Sequence, residues 1–168
     1  HKNLAIEVLR KLLNGEIKAR SRKNAVQGRS FAEMLEKTIR AYQNRSIQTI
    51  QVIEELIGLA RNIRESDERG EKLGLTADEI AFYDALEVNE SAVQVLGDET
   101  LMKIAREIVA VVRTNTTIDW TLRELVRANL RVLVRRVLKK YGYPPDMQEK
   151  ATQTVFEKAE LLSAELAA

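Results

Sequence analysis

Five basic residues recur at every fourth position near the end of the chain: Arg123, Arg127, Arg131, Arg135 and Lys139. On a helix each step of four overshoots a turn by about 40°, so the series drifts slowly around one flank of a rod roughly 30 Å long. Side chains repeated along one flank can follow a nucleic-acid backbone, each contact releasing counterions. The same row can meet an acidic protein surface. It can also be a solvated face whose guanidinium groups pair with carboxylates elsewhere in the chain. Glu124 is the one acidic residue on that flank, and no aromatic interleaving or glycine-rich loop accompanies it. Any phosphate contact read from it is therefore non-specific.

Other chemistry is scarce. Cysteine is absent and the single histidine is His1, which excludes thiol chemistry and makes His/Cys zinc sites and imidazole catalysis implausible. No glycine-rich loop ends in Gly-Lys-Ser/Thr, so no phosphate-cradling nucleotide site is expected. Glu16-Ile17-Lys18 matches the second half of a metal-nuclease pattern, but no acidic residue precedes Glu7 to complete it. Glu54-Glu55 and Asp78-Glu79 are sequence neighbours about 100° apart on a helix, as solvated faces and dipole-complementing first turns are. Ser and Thr have no base to activate them. No catalysis by this chain alone is expected.

The chain has 168 residues with 27 basic and 25 acidic side chains, a balance that confines any anion-binding role to local clusters. Seven glycines and two prolines in a chain rich in Leu, Ala, Ile, Val, Glu, Lys and Arg predict an all-α fold: an irregular multi-helix bundle of about six to seven helices. No apolar run is long enough to span a bilayer and no leader is evident, so a cytoplasmic location is expected.

Helical spacing places a first helix from Leu4 to about Arg22, with Leu4, Val8, Leu12, Leu13 and Ile17 inward. Ser30 and Glu33 form a capping-box pattern that predicts a second helix, Phe31 to about Gln43, burying Leu35 and Ile39. A third, Ile47 to about Arg64, should bury Ile50, Ile53, Leu56, Ile57, Ala60 and Ile63. The charged run Glu65–Lys72 is either a solvated helix end or a connection. Thr76 and Glu79 cap a short helix with Ile80, Phe82 or Tyr83, and Leu86 inside. Gly97-Asp98 precede a helix from about Glu99 to Arg113.

Thr121 and Glu124, or Asp119, cap the arginine-bearing helix. It ends near Lys140–Tyr141 with Gly142 suited to a left-handed cap and Pro144 barring continuation. Its other faces carry Leu122, Leu125, Val126, Leu130, Val132, Leu133, Val137 and Leu138, so it is expected to be central to the bundle. Asp146 caps a last helix, Met147 to about Glu165. The expected organisation is a single domain, with residues 1–45 as an N-terminal helical hairpin and 46–168 as the main bundle, cut from a larger polypeptide. Trp120, Tyr141 and Tyr143 lie beside the arginines, as aromatics at interface centres do, or pack on their own core.

Several of these segments resemble the C-terminal region of the R subunit of type I restriction enzymes. They are Gln51-Val52-Ile53-Glu54-Glu55-Leu56-Ile57, Leu73-Gly74-Leu75-Thr76, Glu79 to Leu86, Ile118-Asp119-Trp120-Thr121, Val126 to Arg131, and Leu138-Lys139-Lys140-Tyr141-Gly142-Tyr143-Pro144-Pro145-Asp146. In that family the whole subunit carries a nuclease domain, two helicase-type ATPase lobes and a helical C-terminal domain, and uses ATP and Mg to pull and cleave DNA. The resemblance implies that the catalytic motifs lie upstream and that this helical piece holds no cofactor. It further implies a role in attaching the motor to the methylation and specificity subunits, with DNA reached through the parent complex. A stand-alone nucleic-acid-binding domain using the Arg123–Lys139 stripe, and a structural brace for the ATPase lobes, remain as alternatives.

Overall fold

A computed structural model describes residues 2–115, 123–144 and 149–167. These residues form seven α-helices and, among the described residues, no strand. The helices are α1 (Lys2–Lys23), α2 (Ala25–Gln43), α3 (Thr49–Leu73), α4 (Ala77–Glu87), α5 (Glu90–Thr114), α6 (Arg123–Lys140) and α7 (Glu149–Ala167). They fall into two compact units, His1–Gly74 and Leu75–Ala168.

In the first unit α1, α2 and α3 pack on one another. Helix α3, expected to open the main bundle after residue 45, lies against both α1 and α2 and completes this unit. One residue joins α1 to α2. Asn24 leaves the helical region (φ −144°, ψ 98°) and its side chain accepts from the Gln27 amide at 3.0 Å. That cap starts α2 well before the Ser30–Glu33 pattern, which is interior to the helix. Gly28 is buried where the helices meet: a Cβ there would lie 2.1 Å from Ser21 Oγ and 2.7 Å from Ser21 Cα. Arg20 spans the unit from α1. It donates to Gln27 Oε1 at 3.2 Å and to the Ile63 carbonyl at 3.4 Å, pairs with Asp67, and lies 5.9 Å from the Phe31 ring centroid. Tyr42 Oη donates to Asn3 Oδ1 at 2.6 Å, and Thr38 Oγ1 to Glu55 Oε2 at 3.0 Å, tying α2 to both neighbours.

The buried faces are rotated from those expected in two helices. In α1 the core residues are Ile6, Leu13 and Ile17, while Leu4, Val8 and Leu12 face solvent. In α3 they are Val52, Leu56, Leu59 and Ile63, while Ile50, Ile57 and Ala60 are exposed. Each helix carries more apolar residues than one face holds, and contact with its neighbours decides which set is covered. The charged run Glu65–Lys72 belongs to α3, which ends on Gly74 in the left-handed region (φ 67°).

In the second unit the most enclosed helix is α4. All seven residues from Ile80 to Leu86 are buried, and α5 and α7 pack against it. Its start is the expected capping box, with Thr76 N donating to Glu79 Oε1 at 2.8 Å and Glu79 N to Thr76 Oγ1 at 3.3 Å. Asn89 caps α5, which bends at Gly97 (φ 77°, ψ 163°), where the break before residue 99 was expected. Beyond the bend α5 buries Leu101, Ile104, Ala105, Ile108, Val109 and Val112. Lys158 of α7 is buried and donates to Asp78 Oδ1 at 3.0 Å. Asp78 sits in the first turn of α4, where a carboxylate also complements the helix dipole.

Candidate interaction surface on α6

Helix α6 is amphipathic and lies at the edge of its unit, against α5 and α7. Val126, Leu130, Val134, Val137 and Leu138 are buried. Leu125 is 65% exposed and Val132 45%, so this is not the central helix expected from its composition. The apolar residues cover most of its circumference, but only the side turned to α5 and α7 is used. Arg127, Arg131, Arg135 and Lys139 are all exposed, on a flank that drifts from the α7 side toward the outer face. Arg123 begins α6, and its side chain lies outside the described residues.

The flank divides into two kinds of cation. At the α7 edge, Arg127 Nε is 3.3 Å from Glu160 Oε2, and the Arg135 guanidinium lies 5.8 Å from the centroid of the buried Phe156 ring. These contacts hold the two side chains along α7. Among the described residues, Arg131 and Lys139 make no ion pair, nor does Arg136, which the four-residue series leaves out. Arg136 continues an exposed line through Leu125, Asn129 and Val132, spaced by four, three and four residues. The spacing was readable in the sequence. That this line faces water was not, because Leu125 and Val132 alone suggest a core.

The Tyr-Gly-Tyr-Pro segment anchors the end of α6. Gly142 is left-handed (φ 71°), its N–H donates to the Lys139 carbonyl at 3.1 Å, and Tyr143 N–H donates to the Leu138 carbonyl at 2.9 Å. This is a Schellman cap, and it turns both tyrosines back to the bundle. Tyr143 is buried, with its hydroxyl donating to the Leu86 carbonyl at 2.9 Å. Burial raises its pKa. Tyr143 therefore packs into the core of its unit, the second of the two placements expected for it.

Tyr141 is half-buried. It donates to Glu107 Oε2 at 2.5 Å while Lys140 Nζ donates to Oε1 at 2.9 Å. The Tyr141 bond foremost, then the Lys140 bond, hold the Glu107 carboxyl below its ordinary range, and the same contacts raise Tyr141 and Lys140. The carboxylate on α5 thus clamps the last turn of α6. Trp120 and the Asp119, Thr121 and Asp146 caps lie outside the described residues.

No group of three or more His, Cys, Asp or Glu side chains among the described residues could hold a metal ion. No described helix is long and apolar enough to cross a membrane. The arrangement defines a helical packing module with a cationic and partly apolar outer helix.

The chain belongs to the family described as type I restriction enzyme HindI endonuclease subunit-like, C-terminal, which matches residues 1–165. It is 41% identical over 165 residues to the type I restriction enzyme HindI endonuclease subunit of Haemophilus influenzae. It is 32% identical over 166 residues to the putative type I restriction enzyme MjaIXP endonuclease subunit of Methanocaldococcus jannaschii. Each alignment covers 98% of this chain but only 16% of the relative. No solved structure matches.

Proposed function

We propose that this chain is the non-catalytic helical assembly domain of a type I restriction enzyme endonuclease subunit. In this reading it docks the ATP-driven motor onto the methylation and specificity subunits, and ATP and Mg are bound elsewhere in the parent subunit. The observation that carries it is the outer surface of α6. Arg131, Arg135, Arg136 and Lys139 are exposed beside the uncovered Leu125 and Val132. An apolar line edged by arginine suits a protein interface, where arginine is enriched and buried apolar anchors supply most of the affinity. DNA contact is a second reading, favoured by the drift of four exposed cations along one flank.

The triple substitution Arg127→Glu, Arg131→Glu and Arg135→Glu in the full endonuclease subunit tests both. All three residues are exposed and the Arg127–Glu160 pair is a surface pair, so the circular dichroism and melting temperature should change little. Co-elution with the methylation–specificity core should be lost. If instead DNA affinity falls together with the slope of log K against log salt, at about 0.9 per lost phosphate contact, the flank tracks DNA. A triple variant that assembles, binds DNA and cleaves like the parent rules out both roles for this flank.

A further inference from the structure

Helix α1 has two apolar faces, and its unit uses only one. Ile6, Leu13 and Ile17 enter the core, whereas Leu4, Val8 and Leu12 are 66, 50 and 63% exposed. Gly15 and Ala19 are exposed too and continue the line. From Val8 the steps are four, three and four residues, the spacing of a helix–helix seam. Between Leu4 and Ala19 the seam runs about 22 Å. Lys11, Lys18 and Arg22 are exposed along one edge of it, and among the described residues none of the three makes an ion pair. An open groove beside the seam is lined by Glu7, Val8, Arg10, Lys11, Asn14, Gly15 and Lys18, three cations to one carboxylate.

A glycine, Gly15, sits within the seam. A glycine inside a helix costs about 1 kcal/mol relative to alanine. At Gly28 the close approach of Ser21 accounts for it. At Gly15, as at Gly58 in α3, an added Cβ would meet nothing within 4 Å, so the packing of α1, α2 and α3 gives no reason for glycine there; only Gly15 lies on the exposed apolar seam of α1. A second backbone crossing close over Gly15 would give one.

We propose that the seam Leu4–Val8–Leu12–Gly15–Ala19 is a docking face for an acidic amphipathic helix of a partner protein. Its apolar side lies along the seam, its backbone crosses nearest at Gly15, and its carboxylates run beside Lys11, Lys18 and Arg22. Charge selects this occupant over a second copy of the chain. Helix α1 carries seven basic and two acidic residues, and two such helices laid face to face repel. The inference stands on α1 and is independent of the role proposed for α6.

The probe is a labelled 21-residue peptide, roughly three heptads, with leucine at a and d and glutamate at e and g. It is titrated into the whole chain by fluorescence anisotropy. Binding is expected, weakening with salt, and falling at least ~10-fold in Val8→Asp/Leu12→Asp and in Lys11→Glu/Lys18→Glu/Arg22→Glu. A lysine version of the peptide should ignore the parent chain and bind the triple-Glu variant. Gly15→Leu should raise the melting temperature yet block the peptide, which separates docking from folding. The proposal falls if the acidic peptide does not bind, if it binds Val8→Asp/Leu12→Asp as tightly as the parent, or if Gly15→Leu leaves affinity unchanged. It also falls if sedimentation shows a dimer that Val8→Asp/Leu12→Asp dissolves, since a second copy then covers the face.

Discussion

Gly28 contributes through the side chain it lacks. The Cα of Ser21 would stand 2.7 Å from a Cβ at this position, so alanine forces α1 and α2 apart rather than merely turning the Ser21 hydroxyl aside. Overpacking of this kind costs about 1–3 kcal/mol. Gly28→Ala should lower the unfolding free energy of the first unit by that amount, read from urea titrations, and adding Ser21→Ala should not recover it, because the clash includes backbone. A Gly28→Ala chain with an unchanged urea midpoint would show that the helices do not approach this closely. Nothing in the sequence around Gly28 revealed this. The segment Lys23-Asn24-Ala25-Val26-Gln27-Gly28 is polar, and glycine in it fits a break as well as a crossing. Tyr143 was similarly undecidable. An aromatic next to a glycine turn suits an interface or a core, and only the hydrogen bond to the Leu86 carbonyl places it inside.

Elements were legible where local chemistry fixes them and obscure where neighbours do. The Thr76–Glu79 box and the Gly142 cap act within one turn, and both occur as spaced. The Ser30–Glu33 box did not, since Asn24 caps earlier and residues 25–30 can all enter a helix. The inward face of α1, α3 and α6 could not be chosen from spacing, because each has a spare apolar face. The clamp between α5 and α6 is a long-range pairing, and its consequence is a pH dependence. Glu107 has a lowered pKa in the folded chain. Its contribution is therefore fully present above the ordinary carboxylate range and is lost as pH falls through the lowered folded value. Glu107→Gln should lower stability at neutral pH and reduce the steepness of acid unfolding below that range, measured by urea titrations across pH. If the variant shows the same acid limb as the parent, the two donors on α6 do not hold this carboxylate.

At the scale of the molecule, the all-α character followed from composition alone, whereas the grouping of helices did not. The hairpin expected over residues 1–45 ends at Asn44-Arg45-Ser46, which is a turn, with Arg45 left-handed (φ 55°). A turn does not end a packing unit, however. Helix α3 returns its Val52, Leu56, Leu59 and Ile63 to the residues α1 and α2 bury, in one continuous apolar cluster. Arg20 then ties α1 to the far end of α3 through Ile63 and Asp67. A cluster drawn wholly from residues before Gly74 needs nothing beyond it, so residues 1–74 should fold when expressed alone. A domain this small has limited surface to bury and stays marginal, with a stability of only about 3–5 kcal/mol. The expected result is a helical far-ultraviolet spectrum and one cooperative urea transition, which Leu56→Ala, emptying a fully buried site, should abolish or shift by about 2–5 kcal/mol. Residues 1–45 alone lack the α3 side of that cluster and should show no such transition. If 1–45 folded as cooperatively as 1–74, α3 would be dispensable and the hairpin division would be the better description of the chain.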